Sequence, residues 1–114
     1  MTEQKIPKNI ESVTFDDNNE IHSIDNEPAI VSKLGSKMWF DHGKLHRLNG
    51  PSCVFANGNK EFWIAGQQVT EVVTKYAEEW SVDIDTMDES DYNFMWLKLG
   101  LNYDTNGKPK FESQ

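Results

Sequence analysis

Three histidines and the acids near them are the residues best suited to chemistry in this sequence. His22, His42 and His46 lie close in the chain to Asp25 and Asp41, and imidazole and carboxylate groups build metal centres and acid-base pairs. Their spacing does not follow a metal-binding pattern. His22 and His46 also hold equivalent places in a repeat described below, which should keep them apart. The sequence therefore predicts structural or surface histidines, with no metal and no cofactor, and leaves a hydrolase using His46 as an unlikely alternative.

Calcium-binding and catalytic motifs are not matched elsewhere. The acids between Asp83 and Glu89 suggest a calcium loop, but Met87 stands at its fifth position and Asp88 stands where the sharp turn needs glycine. No Gly-x-Ser-x-Gly, Walker loop, Cys-x-x-Cys or Rossmann glycine triplet occurs. The single cysteine, Cys53, cannot form an internal disulfide and is interpreted as a small core residue. We therefore expect a protein that is not an enzyme.

The densest charge in the chain is acidic. No Lys or Arg occurs between Lys75 and Lys98. The acids of this segment are Glu78, Glu79, Asp83, Asp85, Asp88, Glu89 and Asp91. They fit a solvated loop between two helices, with acids favoured near a helix N-terminus. They also fit a negative surface that docks on a basic partner, such as a nucleic-acid-binding host protein.

Two aromatic pairs, Trp39-Phe40 and Phe62-Trp63, are the second candidate for partner binding. Adjacent residues of a strand point to opposite faces, so each pair should place one ring in the core and one outside. An exposed aromatic stripe on a soluble protein often marks an interface, although it could also pack against the N-terminal segment. The four aromatics and the seven acids together form the predicted partner-binding set.

An internal repeat must position these residues. Pro28–Lys44 aligns without a gap on Pro51–Gln67, 23 residues further on, and Val13–His22 resembles the closing half of an earlier copy. The array is thus about two and a half copies long. In the second copy, Ser52–Ala56 and Asn59–Ile64 flank Asn57-Gly58, which predicts a hairpin with a type I′ turn and positive φ at both residues.

Each copy should continue into a second short turn. His42-Gly43 and Ala65-Gly66 stand where the next two-residue turns belong, which predicts an antiparallel meander of hairpins.

The connector His46-Arg47-Leu48-Asn49-Gly50-Pro51, followed by Asn57 to Gly66, carries a resemblance. It is similar to the MORN-like repeat in the His-Arg-x-Asp/Asn-Gly-Pro form found in large DNA phages and viruses. The resemblance covers residues 13 to 68, and the first copy departs from it with His22-Ser23 and with Asn26-Glu27-Pro28. The matching motif residues are His46, Arg47, Asn49, Gly50, Pro51, Asn57, Gly58 and Gly66. The resemblance implies phage origin, a single antiparallel sheet, and protein or lipid contacts rather than catalysis.

The periodicity changes to that of helices after the repeat. Apolar residues from Val72 to Trp80 form one stripe, with Thr70 as the expected N-cap. A second helix is predicted from Thr86, with a Thr86–Glu89 capping box, to an end at Gly100. Residues 103–111 suggest a small terminal hairpin. Trp80 and Trp96 lie on the apolar stripes, and both are expected in the core.

Composition bounds the class of protein. The 114 residues are 37% hydrophobic and 26% charged, with a net charge of −8, which disfavours direct binding to nucleic acid or an anionic membrane. The sequence lacks an apolar run of about 18 residues and a signal-peptide pattern, so a cytoplasmic protein is expected, in the host cell if phage-encoded. The predicted organisation is a tail at residues 1–12, repeats at 13–69 and a helical part at 70–114 in one compact domain. The fold class is α+β, with both helices packed on one sheet face.

The resulting functional prediction is a non-enzymatic interaction protein. It would bind and modulate or inhibit a host protein through the acidic helical end, the aromatic sheet face, or both. The alternative is a structural module that self-assembles, because open sheet edges can pair between chains. The expected state is therefore a monomer or a homodimer.

Overall fold

A computed structural model describes residues 6–112. It contains antiparallel strands and two α-helices, so the α+β class is confirmed. The strands are β1 (Ile10–Val13), β2 (Ile30–Ser32), β3 (Lys37–Met38), β4 (Phe40–Asp41), β5 (Lys44–Leu45), β6 (Cys53–Val54), β7 (Lys60–Glu61), β8 (Trp63–Ile64), β9 (Gln67–Gln68), β10 (Leu101–Tyr103) and β11 (Pro109–Phe111). The helices are α1 (Thr70–Trp80) and α2 (Glu89–Leu99), with a 3₁₀ turn at Ile84–Thr86 between them.

The main sheet has five antiparallel strands in the order β1-β2-β3-β6-β7. The hairpins β4-β5, β8-β9 and β10-β11 form separate two-stranded sheets. The meander is therefore interrupted, because the chain leaves the main sheet after β3 and rejoins it at β6. Single residues, Trp39 and Phe62, separate β3 from β4 and β7 from β8.

Strand positions repeat along the chain. Strands β2 to β5 begin at residues 30, 37, 40 and 44, and strands β6 to β9 begin at residues 53, 60, 63 and 67. Each pair of starts differs by the 23 residues of the sequence repeat. The two interrupting aromatics, Trp39 and Phe62, keep the same offset.

The turn at Gly58 differs from the predicted type. Gly58 has φ of 93°, but Asn57 is not among the described residues with positive φ, so the type I′ assignment was wrong. The Gly58 amide donates to the Phe55 carbonyl at 2.8 Å, and the Phe55 amide donates to the Asn59 carbonyl at 2.8 Å. This is the three-residue hairpin loop in which glycine takes the left-handed position after a type I turn.

The next turns have the predicted two-residue form. The φ values are 45° and 88° at His42-Gly43, and 50° and 82° at Ala65-Gly66. Both residues of each turn are thus left-handed, as a type I′ turn requires.

The N-terminal segment is more ordered than the sequence indicates. Strand β1 pairs with β2 at one edge of the main sheet, so the predicted tail does not extend to residue 12. Residues 1–5 of that tail lie outside the described residues. The early half copy is present as a single bridge between Phe15 and Ile21.

Both predicted helix starts require correction. The N-cap of α1 is Val69 rather than Thr70, and it makes no side-chain cap bond. The Thr70 hydroxyl instead accepts the Phe62 amide at 2.9 Å, which joins the helix to the repeat. Thr86 lies in the 3₁₀ turn, and α2 is capped by Asp88. The Asp88 side chain accepts the Asp91 amide and the Asp91 side chain accepts the Asp88 amide, as a capping box requires.

The C-terminal elements follow the prediction more closely. Gly100 ends α2 in the left-handed conformation with φ of 69°. Strand β10 begins directly after it, so the terminal hairpin starts at Leu101, two residues earlier than expected.

The helical core involves only the last part of the repeat. The buried cluster joins Phe62, Ile64 and Val69, which precede the helices in the chain, to helix residues Val73, Tyr76, Tyr92, Met95 and Trp96. None of these residues comes from β1, β2 or β3, so the helices do not cover a whole sheet face. Trp96 is buried as predicted, at 6% exposure, and its indole donates to the Leu48 carbonyl. The prediction that Trp80 is buried was wrong, because its ring is 47% exposed at the last residue of α1.

Neither helix within residues 6–112 has the length and apolar character needed to cross a bilayer.

Candidate functional site

Three large apolar side chains are exposed together on the outer surface of the helices. Trp80 and Phe94 are each 47% exposed and Leu97 is 76% exposed. The Trp80 and Phe94 rings meet edge to face at 6.0 Å, and Leu97 lies one helical turn after Phe94. We call Trp80, Phe94 and Leu97 the helical patch.

The indole of the helical patch rests on the core. The buried ring of Tyr76 stacks on Trp80 with centroids 5.7 Å apart. The Lys98 ammonium lies 5.3 Å from the Trp80 ring on the neighbouring helix. These contacts hold the indole in place, although almost half of its surface remains open to solvent.

The end of α1 fixes how the chain passes from one helix to the other. Ser81 takes the left-handed conformation with φ of 53°. Its amide donates to the Glu78 carbonyl at 3.3 Å, and the Val82 amide donates to the Ala77 carbonyl at 2.9 Å. This pair of bonds is the Schellman arrangement, which stops the helix directly after Trp80.

Four of the seven acids have local structural roles. Asp83 accepts the Asp85 amide at 3.0 Å, and Asp85 forms an ion pair with the Lys60 ammonium at 2.9 Å. Asp88 and Asp91 form the capping box of α2. The solvated-loop interpretation therefore accounts for these acids.

The other three acids are not engaged in this way. Glu78, Glu79 and Glu89 are exposed, and within residues 6–112 their side chains form no hydrogen bond or ion pair.

Burial and, secondarily, the Asp91 carboxylate raise the pKa of Tyr76. The Asp91 carboxylate on α2 thus affects the ionisation of Tyr76, the residue that stacks on Trp80.

The aromatic pairs do not form the predicted exposed stripe. Trp39 is 7% exposed and Phe62 is 2% exposed, while Phe40 and Trp63 are half-buried. The Trp39 indole donates to the Asn26 carbonyl at 3.0 Å. The Trp63 indole donates to the Glu61 carboxylate at 2.9 Å. The first ring of each pair is therefore buried and the second is half-buried, so neither pair presents a fully exposed ring.

The connector motif has structural contacts. The Arg47 guanidinium lies 3.8 Å from the centre of the Trp39 ring. It donates to the Asn49 side chain at 3.2 Å and to the Pro51 carbonyl at 3.1 Å. A Cβ at Gly50 would lie 2.6 Å from the same guanidinium, so glycine leaves the space that the arginine fills.

The histidines divide as the repeat implies. His46 Nδ1 accepts the Ala65 amide at 3.0 Å, and burial lowers the pKa of His46. His22 Nδ1 accepts the His42 amide at 3.0 Å in the same way. His46 is thus committed to the backbone, which gives the hydrolase alternative no support.

Sequence reasoning missed one residue near the histidines. Asp16 lies 2.5 Å from His42 Nδ1, whereas Asp25 lies outside the group of possible ligands formed by Asp16, His22 and His42. The hydrogen bond raises the pKa of His42 and lowers that of Asp16. The sequence carried no signal for this contact, because the alignment of the early half copy pairs Asp17, not Asp16, with Asp41.

Cys53 is a core residue as predicted. It is 1% exposed, and burial raises the pKa of its thiol to about 11. A thiol with this pKa is a poor nucleophile near neutral pH.

A second apolar surface lies on the five-stranded sheet. A groove of about 380 Å³ is lined by Ile10, Ile30, Leu34, Met38 and Phe55, among others. No charged side chain is among its lining residues.

No family model, no curated protein and no solved structure matches this chain. Inference about its function therefore depends on the geometry just described.

Proposed function

We propose that this protein is a non-enzymatic interaction module whose helical patch docks on a basic, partly apolar segment of a partner protein. The observation that carries the proposal is the exposed cluster of Trp80, Phe94 and Leu97 at the acidic end of the molecule. Exposed aromatic clusters of this kind are typical anchors of protein interfaces.

The helical patch is suited to act as the anchor. Tryptophan and other large apolar residues contribute most of the binding free energy in interfaces when they become fully desolvated. Because Tyr76 already supports the Trp80 ring, little side-chain freedom remains to be lost on binding.

The uncommitted acids indicate the chemistry of the partner. Among residues 6–112 no cation pairs with Glu78, Glu79 or Glu89, so a partner carrying Lys or Arg would supply one. Rim charges of this kind act mainly on the association rate and on the choice of partner. We therefore infer an amphipathic helical segment with apolar residues on one side and basic residues beside them.

In this proposal the repeated strands, β2 to β9, serve as the scaffold for the helices. The contacts among Arg47, Gly50 and Pro51 in the connector support the interpretation of the repeated strands as a MORN-like array. That resemblance favours a non-catalytic role in a phage or viral setting. The partner would then be a host protein, which docking would modulate by covering its basic surface.

A defined peptide tests the apolar part of the proposal. A dye-labelled helical peptide with a Leu face and a Lys face is titrated with the tag-free protein, and binding is followed by fluorescence anisotropy. We expect saturable one-to-one binding that Leu97→Ser weakens by about tenfold, since burial of a leucine side chain is worth about 1.5–3 kcal/mol. The control is Leu34→Ser, which removes an 87% exposed leucine from the sheet groove.

Matched charge variants test the acidic part. The pair Glu78→Gln and Glu79→Gln should weaken binding at 50 mM salt more than the pair Glu11→Gln and Glu27→Gln, which removes the same charge from two exposed positions in the N-terminal part of the chain. The proposal is wrong if binding does not saturate, or if patch variants and their controls have equal effects.

A further inference from the structure

A cluster of two histidines and one aspartate lies away from the helical patch. Asp16 belongs to the loop of the early half copy, His22 follows that loop, and His42 lies in the turn between β4 and β5. Each residue offers one ligand atom, and these atoms all lie within 4.8 Å of one another. We call Asp16, His22 and His42 the histidine cluster.

Backbone contacts hold the histidine cluster together. One Asp16 carboxylate oxygen accepts the amides of Asn18 and Glu20 at 2.8 and 2.9 Å, which leaves the other oxygen at His42 Nδ1. The rings of His22 and His42 stack with centroids 4.1 Å apart. The three side chains are thus gathered before any ligand arrives.

A fourth possible metal ligand, Asp41, lies beside the histidine cluster. One Asp41 oxygen is 3.7 Å from His22 Nδ1 and 3.7 Å from His42 Nε2. The surroundings are therefore two imidazoles with carboxylates on two sides.

The next copy of the repeat lacks this arrangement. His46 accepts the Ala65 amide as His22 accepts the His42 amide, with both distances 3.0 Å. The turn conformations agree closely, at φ of 45° and 50°. The fold therefore does not require an imidazole at position 42.

We propose that Asp16, His22 and His42 bind a divalent transition-metal ion, with Zn²⁺ as the reference ion. Two imidazole nitrogens and a carboxylate oxygen suit Zn²⁺, Ni²⁺ or Cu²⁺ better than Mg²⁺ or Ca²⁺, which prefer oxygen ligands. Ligand atoms around tetrahedral zinc lie about 3.4 Å apart, because each bond is about 2.0–2.2 Å long. Small side-chain rotations bring atoms within 4.8 Å to that spacing.

Binding has a cost within the histidine cluster. The hydrogen bond between His42 Nδ1 and Asp16 Oδ2 is lost when either of these two atoms binds the ion. If His42 is protonated beforehand, it also releases a proton. His22 likewise exchanges its bond from the His42 amide for the metal if it binds through Nδ1. We therefore expect weaker affinity than that of a structural zinc site with cysteine ligands.

Titration calorimetry with ZnCl₂ on the tag-free protein tests this proposal. We expect one equivalent to bind, and His42→Ala to weaken binding at least tenfold while keeping the fold, because Ala65 occupies the same turn position in the next copy. Asp16→Asn should also weaken binding, although it alters the loop contacts as well. The control Asp17→Asn removes an exposed acid of the same loop and should bind as the wild type does.

Competition and thermal denaturation complete the test. Zn²⁺ should raise the Tm of the wild type but not that of His42→Ala, and millimolar Mg²⁺ should not displace it. The proposal is overturned if the wild type binds no Zn²⁺, if His42→Ala binds it equally well, or if Mg²⁺ competes at equal concentration.

Discussion

At the residue scale, Gly50 and Arg47 depend on each other. The Arg47 guanidinium occupies the space that a side chain at Gly50 would need, with Nη1 only 2.6 Å from a Cβ there. The same guanidinium is held by the Trp39 ring and by two hydrogen bonds, so it cannot move aside freely.

This dependence predicts the result of a double-mutant cycle. Gly50→Ala should lower the free energy of unfolding by about 1–3 kcal/mol, as overpacking usually does. In an Arg47→Ala background the same change should cost less than about 0.5 kcal/mol, because the colliding group is gone. Urea denaturation of the four proteins measures both costs, and equal costs in the two backgrounds would contradict the contact.

The sequence indicated structural roles for several of these residues, but it did not indicate which residues they contact. The repeat placed His46 and Arg47 in a connector. His46 lies outside the group of possible ligands that contains His22, although both histidines line one surface depression. The repeat did not indicate that Asp16 lies against His42, because that contact joins two loops 26 residues apart. Alternation along strands correctly distinguished the buried Trp39 and Phe62 from Phe40 and Trp63, but it did not show that Phe40 and Trp63 are half-buried rather than exposed.

At the element scale, the three-residue loop at Gly58 permits a graded test. A Cβ at Gly58 would meet no atom within 4 Å, so only the backbone conformation opposes a side chain there. Gly58→Val should lower the free energy of unfolding by about 1–2 kcal/mol. Gly58→Asn should cost less, since Asn19 holds the left-handed position of the N-terminal loop with φ of 68°.

Denaturation midpoints of the two variants, compared with that of the wild type, decide the matter. An unchanged midpoint for Gly58→Val would show that the loop does not have this conformation in solution.

A substitution at the end of α1 is expected to stabilise the protein. Ser81 has φ of 53° in a position where glycine is the preferred residue. Ser81→Gly should therefore raise the free energy of unfolding by about 0.5–1 kcal/mol. Thermal denaturation measures the change, and a lower Tm would show that the serine side chain has a stabilising role that the contacts do not reveal.

Elements were predicted well where the sequence signal is local and repeated. The 23-residue offset located the strands of both copies, and Gly100 located the end of α2. The start of α2 was misplaced because two capping sequences compete, Thr86 with Glu89 and Asp88 with Asp91, and aspartate is the stronger N-cap. The N-terminal strand was missed because Ile10–Val13 gains its order from pairing with β2.

At the scale of the whole molecule, the helices pack at one end of an extended sheet. The molecule measures 50 × 35 × 21 Å, and the buried residues that the repeat contributes to the helical core are Phe62, Ile64 and Val69. The sequence could not show this, because apolar periodicity identifies a buried helix face without saying which strands it meets. Trp80 lies at the surface of this helical end.

Chemical-shift mapping tests most directly whether a basic amphipathic segment docks on the helical patch, as we propose. Two-dimensional NMR spectra of the ¹⁵N-labelled protein are recorded while the Lys and Leu peptide is added. We predict saturable shifts in the Trp80 indole and in backbone amides of residues 76–98. Shifts centred on the sheet groove around Ile30 and Met38, or shifts that do not saturate, would contradict the account.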